Sequence, residues 1–480
     1  MMRVAVPSPN RQTRLEAPHP PVISPEQLLA IADEVLGQMA SEPARIYVDH
    51  TAIGMARVAM GRVLMQDNGD RIILSIDAQF GQRRLVHLNV DQIDTASLRA
   101  VARYLDRLGR EQPGDPASLT MPIAPRTYRP MTVWKTSTVD AFAERRHAAV
   151  ASLVAPVLDA GFAASAFVGV SARSTGYVDK QGRRVAGHDT DAELVVTGWS
   201  NDGKASGWAG QAAREWSTMD PAAVARRSIE LTQRSANPVA FEPGRYTVIL
   251  DRPAVAQIVH AMGWAFDAEP TLVGGTPLFN RATKKSHLGD RIVDARISLS
   301  SDPNDPDGGY LPFTWDGAPL IPMTWIDHGI HTNLAFKQDF AASIGYAPSN
   351  YPPGALRMQA VPSTALMSVD EMIASCKLGI YVNRISHVDG PSGDPVIGMM
   401  TGVTSGGCFL VRDGAIEKPI RNLRFLESPW LFLDRVEAIG ASERSAFGYA
   451  PWAGGWPIDP TIVPPLKVRD FYFNALADNV

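Results

Sequence analysis

Residues 44 to 90 limit the fold more than any other stretch. "ARIYVDHT" (44–51), "ARVAMGRVLMQDN" (56–68), "DRIILSIDAQFG" (70–81) and "RRLVHLNV" (83–90) are strand-like runs, separated by Gly, Asn-Gly and Asp. Punctuation of that kind folds each strand back on its neighbour and predicts an antiparallel meander. A second block, residues 162–212, repeats the character, with strands joined at Gly and at Asn-Asp-Gly. Helical patterns flank these blocks without alternating with single strands. The chain therefore reads as α+β rather than as a βαβ array.

The helices carry their own start and stop signals. Ser24 is an N-cap candidate followed by Pro25, with Leu28, Leu29, Ala32, Val35 and Leu36 on one stripe. Helices are expected over "DTASLRAVARYLDRLGR" (94–110), over residues 136–161 as one element stopped by Gly161, and near "DPAAVARRSIELTQRSA" (220–236). A Pro-rich connector spans roughly 113–130.

At 480 residues the chain exceeds what one core usually serves. We expect a disordered arm over 1–22, an N-terminal domain over 23–239 with an antiparallel sheet, and a C-terminal β-rich, barrel-like domain over 240–480. The second half has turn signals at "WDGAP", "IDHGIH" and "VRDGAIEKP", and a helix plus strand in "SVDEMIASCKLGIYV".

A net charge of -4 argues against a general electrostatic grip on nucleic acid or anionic lipid. Two cysteines, Cys376 and Cys408, exclude a disulfide framework or a Cys-rich zinc module and suit a reducing cytoplasm. No signal-peptide core and no run of about 18 apolar residues is found. Cys408 sits in an apolar run and Cys376 within a helical pattern, so both are expected to be packed.

The chemical candidates gather near "IVHAMGWAFDAE" (258–269). Asp251 reads as the N-cap and Pro253 lies in the first turn. Val255, Ile258, Val259, Met262 and Phe266 form the core stripe. His260, Trp264 and Asp267 share the neighbouring face at i, i+4 and i+7. A zinc helix needs two imidazoles one turn apart. The residue one turn after His260 is Trp264, whose indole has only a donor N–H. On residues alone this is core or cleft lining, or a His with nearby carboxylates (Asp267, Glu269) equipped for acid/base work. "GGTPLFNRATKKSHLGDRIVD" (274–294) lacks a Walker GK[ST] ending. It reads as a polar loop, or as a substrate-facing loop offering Asn280, Arg281 and His287. Asp327, His328 and His331 in "DHGIH" fit a tight turn better than a metal site, and histidines flanking such a turn usually face water. No G-x-S-x-G elbow appears.

The order of "VILDRPAVAQIVHAMGWAF", "LFNRATKKSHLGDRIVDARISLSSDP", "WDGAPLIPMTWIDHGIHTNL", "VDEMIASCKLGIYV", "TSGGCFLVRDGAIEKPIRNLRF" and "PPLKVRDFYF" resembles the TldD/PmbA family of peptidases. The resemblance runs from about residue 24 to 476. In the zinc-bearing TldD-type subunit this helix carries H-E-x-x-x-H, and a Cys near the C-terminus completes the site. Laying the family's Gly on Gly263 puts Val259 and Trp264 at the ligand positions and His260 at the glutamate. The Cys position falls near Ala450. The resemblance therefore implies the metal-free PmbA/TldE type, with no cofactor of its own and zinc only in a partner. It implies pairing with a zinc-bearing TldD-type subunit, or with a second copy, around a chamber for unfolded or small peptides. An enzyme with altered, zinc-independent hydrolase or amidase chemistry is the alternative.

Overall fold

The computed structural model describes residues 22–114, 128, 132–142, 144–309, 311–351, 353–448 and 459–477. Residues 1–21 of the expected arm, most of the 113–130 connector and Ala450 lie outside that set.

Helix α1 (Pro25–Gln38) starts as expected: Ser24 and Gln27 exchange side chain-to-backbone hydrogen bonds in a capping box. Two long strands follow, β1 (Ala44–Ala59) and β2 (Arg62–Ala78), then β3 (Val86–Val90). The four expected runs thus resolve into three strands. The turn falls inside the second run, at Met60 (φ 48°) and Gly61 (φ 74°), because a two-residue hairpin of this kind needs positive φ at both central residues. Asn68-Gly69, read as a break, instead continues β2, opposite Gly54 and Ile53.

Helix α2 (Thr95–Glu111) is capped by Asp94. The expected helix over 136–161 divides into a turn at Thr136–Val139 and α3 (Glu144–Asp159), which ends before Gly161 at φ 83°. Strands β4 (Ala163–Asp179), β5 (Arg184–Trp199) and β6 (Ser206–Ala213) complete a seven-stranded sheet with the short strand Thr132–Val133. Its order is β3-β2-β1-β4-β5, with β6 and Thr132–Val133 both pairing with β5. Apart from the parallel pairing of Thr132–Val133, its ladders are antiparallel. One face holds the helices. Leu153 and Val157 of α3 and Val224 of α4 (Pro221–Arg234) cluster with Ala164, Ala166 and Val168 of β4 and with Leu194 and Val196 of β5.

The C-terminal part closes a barrel. Strands β7 (Gly244–Leu250), β8 (Leu378–Asp389), β9 (Met400–Arg412), β10 (Leu423–Glu427) and β11 (Leu466–Leu476) pair in the order β8-β7-β11-β10-β9, and β9 pairs back to β8. Closure removes the free edges that an open sheet of this length would present. Helix α5 (Arg252–Met262) packs on β8, with Val255, Ile258, Val259 and Met262 wholly or nearly wholly buried in the main core. A second sheet of short strands, including Ile297–Ser301, Met323–Asp327 and Arg357–Ala360, lies beside the barrel. The fold is α+β and sheet-rich, as expected. Among the described residues no helix is long and apolar enough to cross a membrane.

Candidate active-site cavity

Asp251 caps α5 by accepting a hydrogen bond from the Arg252 backbone N–H at 2.8 Å. At Gly263 the helix tightens into a 3₁₀ turn, Gly263–Phe266. The stripe of Val255, Ile258, Val259 and Met262 faces the core. His260, Trp264 and Asp267 face a cavity of about 400 Å³, together with Gly263, Pro270, Tyr351, Leu356, Asp459 and Thr461. The helical spacing thus brings three side chains into one cleft, as the sequence indicated.

Burial lowers the pKa of His260, opposed by the Asp459 charge, so its imidazole favours the neutral form. Burial raises the carboxyls of both Asp267 and Asp459. Asp267 accepts the Glu269 backbone N–H at 3.1 Å and the Tyr351 hydroxyl. The Trp264 indole N–H is buried and has no acceptor. A neutral imidazole facing a carboxylate can accept and return a proton, which is the chemistry this wall offers.

Of the remaining expected site residues, Glu269 is exposed and contributes its backbone to Asp267, while its side chain stays outside the cavity lining. Asn280, Arg281 and His287 lie in or just after a short hairpin, Phe279–Asn280 with Lys285–Ser286, outside the lining. Asn280 accepts the backbone N–H groups of Ala282 and Thr283; Arg281 pairs with Asp394; His287 bonds Asp290 at 2.8 Å. Each has a structural partner of its own. Cys408 is buried on β9, its thiol pushed up to about 12 by burial. Cys376 is buried two residues beyond its helix rather than within it. In the "DHGIH" turn His328 is exposed, but His331, expected to face water, is fully buried; its Nε2 bonds the Asn333 carbonyl and burial lowers its pKa to about 4.

The wall behind the cavity was not foreseen from the sequence. Asp189, Asp191 and Glu193 alternate along β5 and so point to one face, away from the helices. All three are buried. Arg173, directly opposite Asp189, contacts it at 2.6 Å. Arg214 reaches Asp191 at 3.2 Å, and Arg444 also pairs with Asp191. Glu193 Oε1 accepts the backbone N–H groups of Phe447, at 3.0 Å, and Gly448. The Phe447 ring then meets the His260 ring edge-on, with centroids 5.4 Å apart. The buried acids of the N-terminal sheet therefore hold the C-terminal segment that packs on His260. The alternating acids of "DTDAELV" were the available signal, because charged residues on a β-run flanked by apolar ones need buried partners.

Residues 243–474 match the PmbA/TldA metallopeptidase C-terminal domain. A curated metalloprotease from Archaeoglobus fulgidus is 22% identical over 202 residues; the match covers 41% of this chain and 45% of that protein's length. Among solved structures, TldE from Thermococcus kodakarensis superposes with a TM-score of 0.73 at 16% identity, covering 93% of this chain and 99% of TldE. A Thermotoga maritima structure described as a putative modulator of a DNA gyrase gives 0.74 at 14% identity, covering 94% and 99%. The fold and domain match thus define a metallopeptidase-type architecture. Residues 243–474 are thus a PmbA/TldD-family C-terminal domain, and the chain as a whole shares the fold of TldE.

The zinc that this family implies can be tested against the residues present. Val259 carries only methyl groups and is fully buried. Trp264 offers a donor N–H and no nitrogen lone pair. Among the described residues no three His, Cys, Asp or Glu side chains lie close enough to share an ion. The residues at the helix positions do not fit zinc.

Proposed function

We propose that this chain is the metal-free subunit of a TldD/PmbA-type peptidase or peptide-maturation complex. It contributes chamber wall and peptide-binding surface beside a zinc-bearing TldD-type partner or a second copy of itself. The observation that carries this reading is the helix itself: α5 and the turn after it line a cavity with His260 and Trp264, and the two residues that the resemblance lays on the family's ligand positions, Val259 in the core and Trp264 at the cavity, offer no atom that binds a metal. A cytoplasmic setting fits the two buried free thiols.

The test is purification of the chain alone and with a TldD-type partner, followed by metal analysis and casein or peptide digestion. Activity that appears only with the partner is the expected result. Stoichiometric zinc and peptidase activity in the isolated chain would overturn the proposal. A second reading, zinc-independent hydrolysis or amide cleavage in the same cavity, is favoured by the neutral His260 facing Asp459. It predicts that His260→Ala folds normally but abolishes turnover of some peptide or amide by the isolated chain. An unchanged rate would reduce His260 to packing.

A further inference from the structure

Strand β2 leaves most of one edge open. β3 covers that edge from Leu74 to Ala78, and among the described residues no strand pairs with Arg62 to Ile73 on the same side. The Gln79 N–H donates to the Pro43 carbonyl, so odd-numbered residues of β2 turn their backbone groups to β1. The even-numbered ones, Gln66, Asn68, Asp70 and Ile72, turn theirs outward. A regular edge of this length templates another strand unless something blunts it. Residues 65–73, MQDNGDRII, contain neither proline nor lysine, and their register against β1 is unbroken. The hairpin tip beside them exposes Met60, Val63 and Leu64.

Gly69 indicates what covers the edge. Its φ is not positive and nothing lies within 4 Å of a Cβ built there, so neither a turn nor crowding within the chain asks for glycine. A glycine inside a strand weakens it and otherwise marks the close approach of another backbone. Two copies of this edge match when laid antiparallel about a two-fold axis through Gly69. Gly69 then faces Gly69 in a non-hydrogen-bonded pair, where facing Cα atoms come as close as about 4.5 Å. Asp67 faces Arg71 of the second copy and Met65 faces its Ile73, and symmetry repeats both pairs. The outward groups of Gln66 meet those of Ile72, and those of Asn68 meet Asp70, each pair exchanging two hydrogen bonds. An axis at Asn68 or Asp70 breaks both charge pairs, and one at Asp67 sets that acid against itself. An axis at Gln66 runs the ladder into Leu64, which has no partner on β1 and forms a bulge. In the Gly69 register the pairing stops at Met65, because the next place on the second copy, beside Leu74, is filled by Val90 of β3.

We infer that this edge of β2 pairs with the same edge of a second copy, joining two N-terminal sheets into one. Of the two partners that the subunit reading above admits, this contact takes the second copy, and it does not depend on the His260 cavity.

The experiment is sedimentation velocity of the full chain over a range of concentrations, joined to oxidative cross-linking of Gly69→Cys. A dimer is expected. Gly69→Cys has room for its side chain and should close a disulfide across the axis, since facing Cα atoms of a strand pair lie within disulfide reach. Met65→Cys, which faces Ile73 rather than itself, should not. The natural cysteines, Cys376 and Cys408, are buried. Asp67→Arg or Arg71→Asp alone should weaken the dimer at least about tenfold, and the two together should restore it. Arg71 also acts on buried Asp49, so thermal melts accompany each variant; if Arg71→Asp fails to fold, Asp67→Arg and the Gly69→Cys cross-link decide. A chain that stays monomeric at every concentration overturns the inference. So does a dimer that ignores the charge exchange and never cross-links at residue 69. A chain that is monomeric alone and dimerises only with a TldD-type subunit overturns it too, and leaves the subunit reading standing.

Discussion

Removing Glu193 should loosen the cavity from a distance. The residue is only 3% exposed, and its carboxylate accepts two backbone N–H groups, from Phe447 and Gly448. It also opposes the burial that pulls the Arg384 guanidinium down to about 10, while Arg384 lies 5.0 Å over the Trp208 ring. Each hydrogen bond to a buried charge is worth about 1.5–3 kcal/mol. Breaking a buried pair by deleting one partner costs about 3–5 kcal/mol. These overlap rather than add, because the same carboxylate serves both, and Arg384 keeps some contact with water. We therefore expect Glu193→Ala to lower stability by about 2–4 kcal/mol. Glu193→Gln, which keeps an acceptor but no charge, should cost about half as much. Denaturant unfolding gives the global number, and amide hydrogen exchange at residues 447 and 448 gives the local one. The His260 ring resonances should shift in both variants, because Phe447 packs on that ring. A loss below about 1 kcal/mol with both amides still protected would refute the clamp.

Packing and titration supply four more tests. Gly207→Ala should destabilise by about 1–3 kcal/mol in denaturant melts, because a Cβ there would overlap the Thr232 backbone N and the Ser228 carbonyl. Burial raises the Asp49 carboxyl to about 6 against 3.8, so between those values the folded state holds the extra proton. Its contribution therefore falls as pH rises through that window, and Asp49→Asn should flatten this part of the stability profile. His331 has the opposite sign: its pKa is lowered to about 4 from 6.5, so its contribution is present above 6.5 and is lost as pH falls toward 4. His331→Asn should weaken that acid-side loss. Cys408, pushed up to about 12, and Cys376, also raised by burial, should both resist an Ellman reagent in the native chain and react on unfolding.

What the sequence disclosed and what it hid divide along a physical line. Local geometry was legible. The Ser24 N-cap of α1, the Asp251 start of α5 and the i, i+4, i+7 placement of His260, Trp264 and Asp267 all depend on residues within two turns of one another. The hairpin at Met60-Gly61 was misplaced because Asn68-Gly69 is the stronger local turn signal. The long ladder between β1 and β2, held in register by its neighbour β4, overrode that signal.

Long-range pairing was illegible. Glu193 meets Phe447 across 254 residues, and Asp191 meets Arg444 across 253. Nothing in the spacing of "DTDAELV" names those partners. Asp459 enters the cavity from the far end of the chain, and Tyr351 from a loop, neither at a helical spacing from His260. The same division explains the expected loop residues. Asn280, Arg281 and His287 are polar and close to α5 in sequence, yet each satisfies itself within its own hairpin or on Asp394 or Asp290. A polar residue is free to bind a ligand only when the fold leaves its hydrogen bonds open. Beside this cavity the Trp264 N–H is buried without an acceptor, on a residue whose bulk first suggested core or cleft lining.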